Sequence, residues 1–141
     1  MILLDNQTNS EIDIKLLEEI ANYLKIDKDI ELLIVDNETI KELNREYRQI
    51  DKPTDVLSFP LNSIEHLPLG SIVISSDKAK SVAKMLNHSI SDEISLLFIH
   101  GLLHLLGYDH EKDNGEMREL ETKIIEKFNL PSSLIVRNIK E

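Results

Sequence analysis

Three of the chain's five histidines fall within eleven residues: His100, His104 and His110 in the run His100-Gly101-Leu102-Leu103-His104-Leu105-Leu106-Gly107-Tyr108-Asp109-His110. On a helix, an i, i+4 pair projects two imidazoles from one face about one turn apart, which suits two bonds to a single metal ion. Gly107 can take the left-handed conformation that stops a helix, so the chain can turn there and bring in His110 as a third ligand. Three nitrogen ligands with a fourth position open are the arrangement of a catalytic zinc-type centre rather than a structural one. The plainer alternative, histidines that fall near each other by chance, fits poorly with two imidazoles set among leucines. A polar ring on an apolar face needs a partner.

Zinc peptidases of the metzincin type carry His-Glu-x-x-His-x-x-Gly-x-x-His, with the glutamate as general base. Here the glutamate position is Gly101. The metal scaffold is matched and the base for peptide hydrolysis is missing, so the motif that first suggests a peptidase also argues against one.

The elements that must hold these residues can be read from periodicity and turn chemistry. Ile2-Leu3-Leu4 is a short strand, at an edge or in the centre of a sheet. Apolar residues at 3.6 spacing predict a helix over 11–25 with Ser10 as N-cap. Ile30 to Val35 is a β-branched strand. Asp36 or Asn37 can cap a helix whose Ile40, Leu43, Asn44 and Tyr47 share one face. Val56-Leu57-Ser58-Phe59 is a strand closed by Pro60, 61–69 a loop, and Ser71 to Ser75 a further strand leading into a helix over 77–87. Ser89-x-x-Asp92 resembles a capping box opening the most apolar helix, 91–106, which carries the histidines. A last amphipathic helix covers 113–128 and ends before Pro131, and Leu134-Ile135-Val136 is a candidate for packing onto the core. The alternation predicts one α/β (α+β) domain over residues 1–141. It has a mixed sheet of about four strands, about five helices and a metzincin-like metal-bearing helix near its centre.

Composition narrows the function classes. The chain's 141 residues are 41% hydrophobic and 30% charged, a soluble globular balance with enough length for a real core. Without cysteine, disulfides and thiolate metal sites are excluded. No run approaches the ~20 apolar residues needed to cross a bilayer, and the first residues lack the basic start and apolar stretch of a signal peptide. The expected location is cytoplasmic, with no membrane partner. The net charge of −10 speaks against simple nucleic-acid binding. Its distribution softens that objection: 12 acidic against 5 basic residues in 1–47, but 7 against 5 in 48–110 and 7 against 6 in 111–141. The acidic surplus lies away from the histidines in sequence, and a bound cation adds positive charge where it is needed.

Two long motifs give the chain a family likeness. One is the histidine run. The other is Leu43-Asn44-Arg45-Glu46-Tyr47-Arg48-Gln49-Ile50-Asp51-Lys52-Pro53-Thr54-Asp55-Val56-Leu57-Ser58-Phe59-Pro60, with Asn-x-x-Tyr-Arg, Asp-x-Pro-Thr and Val-Leu-Ser-Phe-Pro elements. Leu69-Gly70-Ser71-Ile72 and Met117 with Glu121 are weaker echoes. On these residues the chain resembles the YbeY family of bacterial ribosomal RNA maturation factors, metal-dependent endoribonucleases specific for single strands. One departure is Ser71, where the family usually has aspartate. The resemblance implies that His100, His104 and His110 are metal ligands and that Arg48 is the arginine needed for activity. It also implies single-stranded or ribosomal RNA as substrate and the ribosome or its proteins as partners.

The chemistry of the side chains agrees with that implication. An arginine fork beside a metal suits the charge that develops on a phosphodiester. Zinc is the favoured ion because it takes three-nitrogen sites, and nickel also accepts imidazoles. No residue of the motif is an obvious general base. Asp109 either orients His110 or caps a turn, and attack by water or by the RNA's own 2′-hydroxyl fits equally. Three alternatives use the same residues: a zinc peptidase or amidase, a structural metalloprotein closed by Asp109 or Asp113, and a non-catalytic, metal-stabilised ribosome assembly factor. Lys78, Lys80 and Lys84 read as a solvated helix face, and His66 and His88 as surface residues.

Overall fold

The structure, a computed structural model, describes residues 1–61, 68–108 and 115–131. In chain order the elements are β1 (Ile2–Asn6), α1 (Ile14–Tyr23), β2 (Ile30–Val35), α2 (Asn37–Arg48), β3 (Val56–Pro60), β4 (Gly70–Ser75), α3 (Ser76–Leu86), α4 (Ile90–Leu105) and α5 (Glu116–Lys127). The four strands form one mixed sheet in the order β1-β2-β4-β3. β1, β2 and β4 run parallel, while β3 is an antiparallel edge strand. Among the described residues, the mixed sheet of four strands and the five helices are those expected from the sequence, and the α+β class stands.

Because successive strand side chains point to opposite faces, each strand feeds two layers. Ile30, Leu32, Ile34, Ile72 and Ile74 face α1, α4 and α5 and form the main core with Phe98, Leu102, Met117 and Ile124. Val35, Leu57 and Val73 face the other way and are covered by Ile40 of α2. Helix α4 is the centre of the first layer, and most of its residues are buried, as an element apolar nearly all round must be.

The helix ends follow local chemistry, with two departures from expectation. Asp36 caps α2 by accepting from the Thr39 N–H at 2.8 Å, a bond that holds its carboxyl below the usual value. Ser89 caps α4 by accepting from the Asp92 N–H at 3.0 Å. Helix α1, however, starts at Ile14 under an Asp13 cap rather than at residue 11 under Ser10. Ser10 is instead buried, its hydroxyl hydrogen-bonded to that of Ser76, so tertiary packing takes the residue that local propensity would assign to the cap. Helix α5 starts at Glu116, after Gly115 with φ of 115°. The expected packing of Leu134-Ile135-Val136 falls outside the described residues.

Candidate metal centre

The histidine-bearing end of α4 has the geometry that its spacing predicts. Nε2 of His104 lies 3.1 Å from Nε2 of His100, with the two rings at 77°. Two nitrogens bound to one tetrahedral ion at 2.0–2.1 Å would be about 3.3 Å apart. The pair therefore fits two ligand positions of a single divalent ion with only a small adjustment. No third His, Cys, Asp or Glu among the described residues joins the pair as a ligand. His110, with Asp109 and Asp113, lies outside the described residues.

The turn that follows is built as expected. Leu106 caps α4 and Gly107 takes φ of 99°. The Gly107 N–H donates to the His104 carbonyl at 3.0 Å and the Tyr108 N–H to the Leu103 carbonyl at 3.0 Å. These are the two bonds of a Schellman motif, and Tyr108 packs back on the core as that motif favours. The chain is thereby turned away from the helix axis just before Asp109 and His110.

Gly101 explains the missing glutamate. A Cβ at this position would meet Ile72 Cγ2 at 2.9 Å, Ser58 Oγ at 3.1 Å and Val56 Cγ2 at 3.3 Å. Ser58 on the edge strand also donates to the Gly101 carbonyl at 3.1 Å. Helix α4 thus lies against β3 and β4 at the one residue that offers no side chain. The position a peptidase would use for its base is occupied by the sheet.

Glu121 is the residue that sequence reasoning noted as a family echo and did not place at the site. It is wholly buried on α5, in a stripe with Met117, Ile124 and Ile125. Its Oε1 lies 3.0 Å from His100 Nδ1. A carboxylate within an otherwise apolar helical stripe was the available signal, since a buried charge needs a partner. His88 also corrects an expectation. It is not a surface residue: its side chain is 9% exposed, with Nε2 2.9 Å from Oε1 of the wholly buried Glu93. His66 falls outside the described residues.

Arg48 is the last residue of α2 and is exposed. Helix α2 covers the opposite face of the sheet from α4, so the sheet lies between the helix that carries Arg48 and the helix that carries the two histidines. Both helices end at the same end of the β3–β4 pair. The Tyr47 ring meets Phe59 edge-to-face at 5.4 Å, and the Phe59 carbonyl and Leu105 Cδ2 both crowd the space beside Gly70. Lys80 and Lys84 are exposed and Lys78 partly so, the solvated face expected of α3. Ser71 is directly opposite Glu31 on β2 and donates to its Oε2 at 3.1 Å. An aspartate at 71 would set two like charges across from each other.

Comparison with known proteins agrees with this architecture. Residues 3–129 match the family model described as Endoribonuclease YbeY. The chain is 64% identical over 138 residues to the endoribonuclease YbeY of Nautilia profundicola, covering 98% of this chain and 99% of that protein. It is 57% identical to that of Helicobacter pylori, covering 97% and 98%. Among solved structures, the solution structure of a Thermotoga maritima protein superposes with a TM-score of 0.62 at 33% identity, over 91% of this chain and 89% of that one. With the family model spanning most of its length and relatives matched nearly end to end, the chain belongs to the YbeY endoribonuclease family.

Proposed function

We propose that the chain is a metal-dependent endoribonuclease that cuts single-stranded RNA during ribosomal RNA processing and ribosome maturation. His100, His104 and His110 hold one divalent ion, and Arg48 meets the phosphate. Family membership supplies the reaction class, and the observation that carries the site is the 3.1 Å approach of the His100 and His104 Nε2 atoms. Zinc is the first choice of ion and nickel the second, because the donors are imidazoles and no thiolate exists in the chain. Among the described residues no helix is long and apolar enough to cross a membrane, which fits action on ribosomes in the cytoplasm.

When bound, a divalent ion at this position supplies Lewis-acid stabilisation of phosphate charge and acidifies water. The protein's own residues do the rest. The Schellman turn at Gly107 directs the following segment, the sheet under Gly101 keeps a carboxylate base out, and the Arg48 guanidinium pairs with a phosphate oxygen. The peptidase reading loses its base on this geometry. A non-catalytic assembly factor would need the ion for stability alone, and cleavage separates that reading from a nuclease.

The test is single-turnover cleavage of a defined single-stranded RNA by metal-loaded protein with and without Arg48→Ala. Removing a guanidinium that meets transition-state charge should cost about 2–4 kcal/mol, or roughly 30- to 1000-fold in rate. Fold and metal content should be unchanged. Arg48→Lys should recover part of the rate, because an ammonium lacks the planar fork. Equal cleavage by wild type and Arg48→Ala would remove Arg48 from the site. No cleavage by the wild type would favour the assembly-factor reading.

A further inference from the structure

We infer that Glu121 is a positioning residue for the metal centre: it fixes the tautomer and ring orientation of His100 and so prepares Nε2 for the ion before the ion arrives. The inference rests on the metal-site reading above and adds to it a residue on a different helix. Three observations carry it. Glu121 Oε1 is 3.0 Å from His100 Nδ1, on the opposite side of the ring from His104. The carboxylate has no exposed surface, and the His100 side chain is 11% exposed, so the bond is shielded from competing water. His100 Nε2 is at the same time 3.1 Å from His104 Nε2, which makes it the nitrogen that faces the shared ligand position.

A neutral imidazole carries its proton on one nitrogen only, and the nitrogen that donates to a carboxylate keeps it. With Nδ1–H donating to Glu121, the lone pair is left on Nε2, the form a metal requires. The carboxylate also stops the ring from rotating about χ2. Because Glu121 lies on α5 and His100 on α4, the same bond pins together the two helices that flank residues 106–115, the stretch that contains His110. An ordinary packing role would have been met by a leucine, which suits the Met117, Ile124 and Ile125 stripe better than a carboxylate does.

The first measurement uses the unaltered protein. In the metal-free wild type, nitrogen-15 chemical shifts of the His100 ring should report the Nδ1-protonated tautomer, and protonation at Nε2 would overturn the inference. The second uses Glu121→Gln, which keeps size and hydrogen-bonding reach but removes the charge. Affinity for zinc, measured by competition with a chelator, should fall by about 10- to 100-fold, as loss of such a partner does elsewhere. Glu121→Asp is too short to reach the ring and should bind zinc no better than Glu121→Gln, with its melting temperature recorded alongside. Wild-type affinity in a folded Glu121→Gln protein would overturn this inference while leaving the metal site in place. A wild type that binds no zinc, nickel or other divalent ion would overturn both.

Discussion

The two ends of α4 carry the same pair of side chains put to different use. At the N-terminal end, His88 meets the buried Glu93 through Nε2, across five residues of sequence. At the other end, His100 meets the buried Glu121 through Nδ1, across twenty-one. The first pair is a local clasp. It closes the tight connection in which Asn87 takes a positive φ and the His88 N–H donates to the Ala83 carbonyl. It also sets Glu93 in the first helical turn, where the helix dipole favours negative charge. The second pair joins separate helices and turns Nε2 toward another imidazole. A buried histidine–carboxylate bond is therefore not in itself a sign of function. The ring nitrogen that the carboxylate takes, and what the other one faces, make the distinction.

Alanine substitution should split the two pairs most widely. His100→Ala should abolish tight binding of a divalent ion and lower RNA cleavage by about 10³-fold or more, the size expected when several kcal/mol of charge stabilisation are lost. His88→Ala should leave ion binding and cleavage near wild type. It should lower stability by about 1–3 kcal/mol, since it withdraws the imidazole from a wholly buried carboxylate. Metal analysis, thermal melts and single-turnover cleavage on the same two preparations check this. Loss of bound ion in His88→Ala with retention in His100→Ala would reverse the assignment of the two ends.

The difference between the ends also marks what a sequence reader can see. His100 and His104 share a helix, so their separation is fixed by 3.6 residues per turn, and the spacing alone brings their Nε2 atoms together. The left-handed stop at Gly107 is equally local and was equally legible. Glu121 approaches His100 only because α5 packs on α4, a contact that no local pattern encodes. His88 sits in a polar-looking connection, so the buried clasp to Glu93 was invisible until the helices were placed. The same limit explains Ser10, whose cap-like character was overridden by a long-range bond to Ser76. The strands were legible because short apolar, β-branched runs bounded by turn residues mark a strand whatever packs on it, while the order in which they pair was not. Arg48 is the intermediate case. Its helix was legible, while its position relative to the histidines depends on how α2 lies across the face opposite α4.

Between the two ends lies Gly101, and it sharpens the comparison at the next level of effect. Gly101→Ala gains about 1 kcal/mol of helix propensity. It also pushes a methyl to within 2.9 Å of Ile72 Cγ2 and 3.1 Å of Ser58 Oγ, overpacking that typically costs about 1–3 kcal/mol. A net loss of up to about 2 kcal/mol is expected by denaturant unfolding. Gly101→Glu, which writes in the metzincin base, should destabilise more and confer no peptide hydrolysis, because the side chain must displace the sheet rather than enter the metal cleft. A stable Gly101→Glu protein with peptidase activity would show that the cleft is open on that side.

The smallest expected effects come from the caps, and there the two ends should differ in kind rather than size. Ser89→Ala removes the hydroxyl that accepts from the Asp92 N–H and should cost about 1 kcal/mol. Gly107→Ala puts a Cβ on a residue with φ of 99° and should cost a similar 1–2 kcal/mol; no atom of the described residues lies within 4 Å of the added methyl, so the penalty is conformational. On stability alone the two variants would look alike. They separate on ion affinity. Ser89 caps the end that carries the clasp, so its loss should leave zinc affinity unchanged. Gly107 sets the direction in which the chain leaves α4 on its way to His110, so a strained turn there should weaken zinc binding several-fold beyond what the stability loss predicts. Gly107→Asn, which tolerates positive φ better than alanine, should restore part of that affinity. Equal zinc affinity in Ser89→Ala and Gly107→Ala proteins of matched stability would mean that the turn ends the helix without aiming the third histidine.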